Sequence, residues 1–235
     1  AGERLFIGAD GMGGHAAGDG ASALAIAGLT PVDRQGVGRD DLEAAVLASN
    51  EAVLEHAQAH PETAGLGSTV CGLARTADGW LAFNAGGSRC YVIERGTLRQ
   101  VTCDHSEVQE LIDRGLITRE QARSHPDRNV ITRAVGQTPP PLVDFFAVPA
   151  GPAVRFVLAS DGLHSEIDDA RIAEICAGTP GATELASALV HAAEEAGGND
   201  NVTVIVVDDL SDSHSDGRTA STTVPRDLIL REVAQ

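Results

Sequence analysis

Residues 5–15 of this chain read Leu5-Phe6-Ile7-Gly8-Ala9-Asp10-Gly11-Met12-Gly13-Gly14-His15. The apolar residues within 3–9 predict a buried strand, and the glycines that follow predict a sharp turn. Because this turn opens on Asp10, a carboxylate lies at the mouth of the strand. Residues 16–29 then carry Ala, Leu and Ile at three- and four-residue spacing, which predicts a helix.

Two further aspartates occupy comparable places. A strand is predicted over residues 154–160 and ends at Asp161-Gly162, and Asp200 directly precedes a strand predicted over 202–207. In antiparallel neighbours, the end of one strand and the start of the next lie at the same sheet edge. Converging carboxylates repel one another unless cations lie among them, and hard divalent cations prefer oxygen ligands. The sequence therefore predicts a magnesium- or manganese-type site. Asp-Gly is also a common turn dipeptide, so a turn without a ligand remains the alternative for any single instance.

The order of predicted elements determines the fold class. Paired helices cover residues 16–29 and 42–59, a second pair covers 168–177 and 182–196, and a polar excursion, the flap, spans 104–136. The remaining predicted strands are 68–75, 80–85, 88–94, 97–102 and 142–148. Two strand sets with helix pairs outside predict an α+β fold, a four-layer α-β-β-α sandwich of two mostly antiparallel sheets. We assign residues 1–208 to this domain and 209–235 to a flexible tail, whose Leu228-Ile229-Leu230 cluster either docks or stays disordered.

Composition excludes several functions. The chain has 34 acidic and 17 basic residues, so its net charge of −17 argues against a nucleic-acid partner. Every basic residue is arginine, and the absence of lysine excludes Schiff-base chemistry and a P-loop lysine. The 4 cysteines are scattered without a CxxC pair, which argues against zinc and favours free thiols. No apolar run reaches the ~18–20 residues of a membrane span, so we expect a cytoplasmic protein.

The aspartates belong to a set of motifs with a specific resemblance, which covers about residues 3–208. Together, and in this order, these motifs resemble the bacterial protein phosphatase 2C family, the PPM-type metal-dependent serine/threonine phosphatases. The motifs are Ala9-Asp10-Gly11-Met12-Gly13-Gly14-His15, Gly67-Ser68-Thr69, Asn84-Ala85-Gly86-Gly87-Ser88-Arg89, Thr102-Cys103-Asp104-His105-Ser106, Ile131-Thr132-Arg133-Ala134-Val135-Gly136, Leu158-Ala159-Ser160-Asp161-Gly162-Leu163 and Asp200-Asn201-Val202-Thr203.

The resemblance implies an activity and a set of ligands. The implied fold is the same α-β-β-α sandwich, and the implied reaction is hydrolysis of phosphoserine and phosphothreonine by a metal-bound hydroxide. By position, Asp10 resembles the carboxylate that bridges two Mg²⁺ or Mn²⁺ ions, Gly11 offers its carbonyl, and Asp161 and Asp200 resemble ligands of one ion. The implied partners are phosphorylated proteins that kinases modify, and we expect a monomer.

The sequence also departs from the family pattern. Gly87 stands where the family has an aspartate that resembles the ligand of a third metal, so we expect that site to be weak or absent. Met12 replaces the histidine that follows Asp-Gly in eukaryotic relatives; His15 is a weak catalytic candidate, and a structural role at the helix start is favoured. The family's phosphate-binding arginine, acidic segment and first strand are expected upstream of residue 1. These departures leave open a pseudo-phosphatase, or a weakened binding module that keeps the fold.

Four other polar positions receive simpler interpretations. We interpret Asp104, His105 and His125 as solvated residues in or beside the flap, with substrate contact as the alternative. For Arg133 a structural pairing with a buried acid is favoured over phosphate binding, and the Asp168-Asp169 pair is expected to cap its helix.

Overall fold

The computed structural model describes residues 4–13, 15–33, 37–63, 65–149, 151, 154–209 and 229–232. The strands are β1 (Leu5–Gly8), β2 (Gly11–Met12), β3 (Gly67–Ser68), β4 (Val70–Arg75), β5 (Gly79–Ala85), β6 (Arg89–Glu94), β7 (Thr97–Gln100), β8 (Asp144–Pro149), β9 (Val154–Ala159), β10 (Thr203–Asp209) and β11 (Ile229–Glu232). The helices are α1 (His15–Leu29), α2 (Arg39–Ala59), α3 (Glu107–Asp113), α4 (Arg119–Arg123), α5 (Asp161–His164), α6 (Asp169–Gly178) and α7 (Ala182–Ala196).

The strands form two antiparallel sheets and one short ribbon. The first sheet has the order β1-β4-β5-β8, and the second has the order β11-β10-β9-β6-β7. The ribbon pairs β2 with β3, which brings the turn after Asp10 beside Ser68. Every pairing between these strands is antiparallel, as predicted.

Three apolar clusters define the four layers. One unites α1 and α2 with the first sheet, through residues such as Leu29, Val46 and Phe83. Another unites α6 and α7 with the second sheet. The third lies between the sheets, where the Trp80 ring centroid is 5.4 Å from that of Phe156 and 6.1 Å from that of Phe6. Because each helix pair buries an apolar face against one sheet and the sheets bury their inner faces against each other, the predicted α-β-β-α sandwich is confirmed.

The sandwich differs from the sequence-based expectation in two short elements. The four-residue helix α5 was not predicted, because one helical turn is too short to show a 3.6-residue period. Strand β11 pairs with β10, with Val206 opposite Ile229, so this part of the predicted tail is an edge strand. Residues 210–228 and 233–235 of that predicted tail lie outside the described part of the chain.

A buried polar cluster closes one end of the sandwich. Strand β10 runs to Asp209, which is 2% exposed and forms an ion pair with Arg75. The Trp80 indole nitrogen donates a hydrogen bond to the same carboxylate at 2.8 Å. Asp200 precedes the opposite end of β10, so this cluster lies a full strand length away from it. Within the described ranges, no helix is long and apolar enough to cross a membrane.

Candidate metal centre

The backbone of Asp10 is held in place by the Gly67-Ser68-Thr69 segment. Its N–H donates to Thr69 Oγ1 at 3.0 Å, and its carbonyl accepts from the Thr69 N–H at 2.8 Å and from Ser68 Oγ at 3.1 Å. Thr69 Oγ1 also lies 2.8 Å from Ser88 Oγ, and both residues are buried. The loop that contains Gly87 and the turn that carries Asp10 are thereby joined through a single threonine.

Ser160 brings Asp161 and Asp200 to the same edge of the second sheet. In the β9–β10 register, Ala159 lies opposite Val204, so the end of β9 meets the start of β10. The Ser160 hydroxyl accepts from the Thr203 N–H at 3.0 Å and donates to the Asn201 carbonyl at 3.2 Å. Asp161 begins α5 directly after Ser160, and Asp200 precedes Asn201. The convergence predicted from antiparallel pairing is therefore present.

Asp10 and Asp161 form a half-buried pair of like charges. Burial raises the pKa of Asp10, and the neighbouring carboxylates of Asp161 and Asp200 raise it further. Burial also raises the pKa of Asp161, to which the charge of Asp200 adds. The buried Oδ1 atom of Asp161 has no hydrogen-bond partner among the described residues. Buried carboxylates in this state are unstable as anions unless a cation compensates them.

These donors fit a hard divalent cation. A bound cation would give the unpartnered carboxylate oxygen a ligand contact, and its charge would lower the raised carboxyl pKa values. Within the described ranges, no group of three or more His, Cys, Asp or Glu side chains is placed to hold a metal ion by itself. Asp200 is exposed and its Oδ1 accepts from the Asn201 N–H at 2.8 Å. Waters and backbone oxygens would have to supply the rest of the shell, as is usual for Mg²⁺.

The glycines that follow two of these aspartates have a different role from the one predicted. Neither Gly11 nor Gly162 has a positive φ; the left-handed residue of the first turn is Gly13, with φ 115°. Instead, a Cβ at Gly11 would lie 2.0 Å from the carbonyl oxygen of Gly18 in α1, and one at Gly162 would lie 2.2 Å from that of Asn201. Glycine is required because another backbone packs directly against each Asp-Gly pair.

The interpretation of Asp104 and His105 as solvated loop residues was wrong. Arg89 binds the Asp104 carboxylate with two groups, Nε at 2.8 Å from Oδ1 and Nη2 at 2.6 Å from Oδ2. His105 is 5% exposed; its Nδ1 accepts from the Gly86 N–H at 3.1 Å and its Nε2 lies 3.0 Å from Asp144 Oδ2. These side chains fix the loop beside Gly87, and sequence alone could not reveal partners so far along the chain.

The simpler roles expected for Arg133 and Asp168 are confirmed. Arg133 forms an ion pair with Asp144 at 3.0 Å. Asp168 caps α6 by accepting from the Arg171 N–H at 2.8 Å. His125 is half-buried in the flap, where its Nδ1 accepts from the Asp127 N–H at 3.2 Å.

His164 is a residue that the sequence analysis missed. Its Nε2 lies 3.1 Å from the Gly87 carbonyl, and burial lowers the pKa of His164 to about 3. The ring is therefore neutral and its Nε2–H donates to that carbonyl, which holds the loop where the family aspartate is missing. The only sequence signal was its place one turn after Asp161. His15 begins α1, but its side chain lies outside the described part, so its role stays a prediction.

A cavity of about 420 Å³ opens beside Asp161. Its lining includes Gly87 and Arg89, residues of α5 and the start of α6, which we call one wall, and residues of the flap, which we call the flap wall. The flap wall carries Arg119, Arg123 and Arg128.

Comparison with known proteins finds similar bacterial serine/threonine phosphatases. No family model matches the chain. It is 41% identical over 212 residues to the serine/threonine protein phosphatase PstP of Mycobacterium tuberculosis; the match covers 88% of this chain and 41% of that protein, so the chain spans less than half of that relative. It is 33% identical over 224 residues to the serine/threonine phosphatase Stp of Listeria monocytogenes, with coverage of 92% and 88%.

Solved structures agree with these relatives. A crystal structure of M. tuberculosis PstP has a TM-score of 0.81 at 41% identity and covers 89% of each chain. The PstP catalytic domain in complex with two manganese ions has a TM-score of 0.78 at 38% identity, with coverage of 89% and 88%.

Proposed function

This chain belongs to the bacterial protein phosphatase 2C family of serine/threonine phosphatases, and on that premise we propose that it hydrolyses phosphoserine and phosphothreonine in a metal-dependent reaction. The observation that carries this proposal is the half-buried Asp10–Asp161 pair with its unpartnered oxygen. Its substrates are phosphoproteins that kinases modify. We further propose that residues 1–208 form the catalytic domain of a cytoplasmic monomer.

Two Mg²⁺ or Mn²⁺ ions would occupy the centre, in keeping with the two manganese ions of the PstP catalytic domain. We propose that Asp10 bridges them, that Gly11 contributes its carbonyl, and that Asp161 and Asp200 bind one of them. When bound, such a pair lowers the pKa of a coordinated water and neutralises charge on the phosphoryl oxygens. Because Gly87 supplies no carboxylate, a third ion binds weakly or not at all.

The protein's own contribution is to position the ligands. Ser68 and Thr69 hold the Asp10 backbone, and Ser160 holds the edge that presents Asp161 and Asp200. Two hydroxyls near the centre are already engaged: Ser88 is 3% exposed with its Oγ against Thr69 Oγ1, and the Ser165 hydroxyl donates to the Asp161 carbonyl at 2.7 Å. A water molecule, rather than a side chain, is therefore the proposed nucleophile.

Gly87 supports a second candidate, a pseudo-phosphatase or weakened regulatory module. It lines the cavity beside Asp161, and His164 binds its carbonyl. The loop is thus stabilised although the family aspartate is absent. A protein that kept this fold only for binding would also need a stable loop here. The two candidates differ in whether metal binding produces turnover.

The decisive experiment is manganese-dependent hydrolysis of p-nitrophenyl phosphate by the full-length protein. Replacing Asp161 by Ala should reduce turnover at least about 100-fold, since even indirect disruption of a metal shell has effects approaching this size. Asp78→Ala, at an exposed turn between β4 and β5, is the matched control and should retain full activity.

Absence of metal-dependent turnover in the full-length protein, or its persistence in Asp161→Ala, would refute the enzyme proposal. Calorimetry separates the second candidate, because two manganese-binding events without turnover would establish a pseudo-phosphatase.

A further inference from the structure

The two walls of the cavity beside Asp161 carry opposite charges. The wall of α5 and α6 presents Asp161, Asp168 and Asp169, where the proposed metal ions and the scissile phosphate belong. The wall on the flap presents the cations Arg119, Arg123 and Arg128; its acidic lining residues are Glu120 and Asp104, and Arg89 binds the Asp104 carboxylate. Asp168 caps α6 and Asp169 lies 3.7 Å from Arg89, so Asp161 is the carboxylate of this wall that a cation would compensate, whereas the flap wall offers cations to an anion.

The three flap arginines are not used to hold the fold together. In the described part of the chain, Arg119, Arg123 and Arg128 form no ion pair, whereas Arg114 and Arg133 of the same flap pair with Glu110 and Asp144. All three are exposed. In a protein of net charge −17, three unpaired cations on one wall form a local exception to the acidic surface.

One flap arginine also acts on the interior of the cavity. Burial is the largest cause of the lowered pKa of His164; Arg89 lowers it further, Asp104 raises it, and Arg123 lowers it by the smallest amount. An anion in the cavity would therefore lie within the field of Arg123 as well as near the proposed metal ions.

We propose that the flap wall binds a second phosphate group of the same substrate, close in sequence to the phosphoresidue that is hydrolysed. This inference rests on the proposed phosphatase function and names its substrate class: segments phosphorylated at two neighbouring positions. The volume of about 420 Å³ accommodates a phosphorylated side chain beside the scissile group. Guanidinium groups bind phosphate oxygens bidentately. Three guanidinium groups together therefore suit a phosphate dianion better than they suit the single negative charge of a carboxylate.

The test compares two phosphothreonine peptides that differ only at a neighbouring position. That position holds either serine or a phosphonate analogue of phosphoserine that cannot be hydrolysed. For the full-length protein with Mn²⁺, we expect a roughly tenfold lower KM for the phosphonate peptide, since three exposed charge contacts contribute modestly each. In the triple variant R119Q/R123Q/R128Q the KM values for the two peptides should become equal. In R114Q, which lies in the same flap but outside the cavity, the roughly tenfold difference in KM should remain.

A binding measurement without metal makes the result independent of turnover. In excess chelator, a fluorescently labelled peptide with both anionic groups should bind the wild type and R114Q more tightly than it binds the triple variant, with an affinity that falls as salt rises. Equal KM values for both peptides in an active wild type, or a ratio that survives in the triple variant, would overturn the inference. Complete absence of turnover would instead count against the proposed function, and the chelator arm would then decide the role of the flap wall alone.

Discussion

Two half-buried charged sites near the Gly87 loop solve the same electrostatic problem differently. At one, Arg89 and Asp104 are 18% and 10% exposed and neutralise each other through a bidentate contact, with Tyr91 Oη as a further partner of Arg89 at 3.1 Å. At the other, Asp10 and Asp161 are like charges, and one buried oxygen has no partner.

The difference separates a structural charge from a functional one. A buried ion pair whose hydrogen bonds are satisfied needs nothing further from its surroundings. A buried carboxylate pair needs either protons or cations, so its stability depends on what the solution supplies. The predictions below change one side of this comparison at a time.

The largest effect is expected at the self-neutralised site. Replacing Arg89 by Met leaves Asp104 buried without its cation, and the free energy of unfolding should fall by about 3–5 kcal/mol. Chemical denaturation followed by circular dichroism measures this change. The double variant R89M/D104L removes both charges and should recover most of the loss; a double variant as unstable as the single one would show that the pair does not act as a unit.

At the carboxylate pair, removal of one charge should have the opposite sign. With chelator present, Asp161→Asn should raise the free energy of unfolding by about 1–2 kcal/mol, because it relieves repulsion from Asp10. Excess Mn²⁺ should stabilise the wild type and leave this variant nearly unchanged. A variant less stable than the wild type in chelator would contradict the description of the pair as repulsive.

The pH dependence of the metal-free protein follows from the same pair. Carboxyl groups with a raised pKa in the folded state retain protons that the unfolded chain has released above about pH 4. The contribution of the pair to stability is therefore present at acidic pH and is lost as the pH rises through the raised pKa values. Denaturation in chelator should show this decline between about pH 4, the ordinary carboxyl pKa, and about pH 8, to which the pKa of Asp10 is raised, and Asp161→Asn should flatten it. Equal slopes for the two proteins would reject the assignment.

The smallest effect is expected from adding a carboxylate at Gly87. A Cβ at this position would lie 2.7 Å from the Cδ1 atom of Ile131, the flexible end of a side chain that can move aside. Gly87→Asp should therefore fold and create a weak third manganese site, detectable by calorimetry at millimolar metal. An unchanged binding isotherm would refute the assignment of this position.

The layers of the fold and the convergence of the aspartates could be predicted because both follow from strand order and periodicity. The helix at residues 182–196 and the strands next to Asp161 and Asp200 carry clear periodic patterns. Antiparallel pairing of those two strands then brings the two aspartates to the same sheet edge. The role of His105 could not be predicted, because its partners Gly86 and Asp144 are set by tertiary packing. The close approach of backbones at Gly11 and Gly162 is invisible for the same reason, since a turn and a tight contact both select glycine.

Trp80, the single tryptophan, lies between the sheets at the end closed by Asp209. Strand β5 separates it from the Gly86–Gly87 loop by roughly 15–20 Å, given ~3.3 Å per residue. Its intrinsic fluorescence therefore reports the packing of the two sheets and does not respond to changes at the edge that carries Asp161 and Asp200. Emission should change when the sandwich opens and stay constant during a metal titration, so one optical signal can follow unfolding without interference from ligand binding.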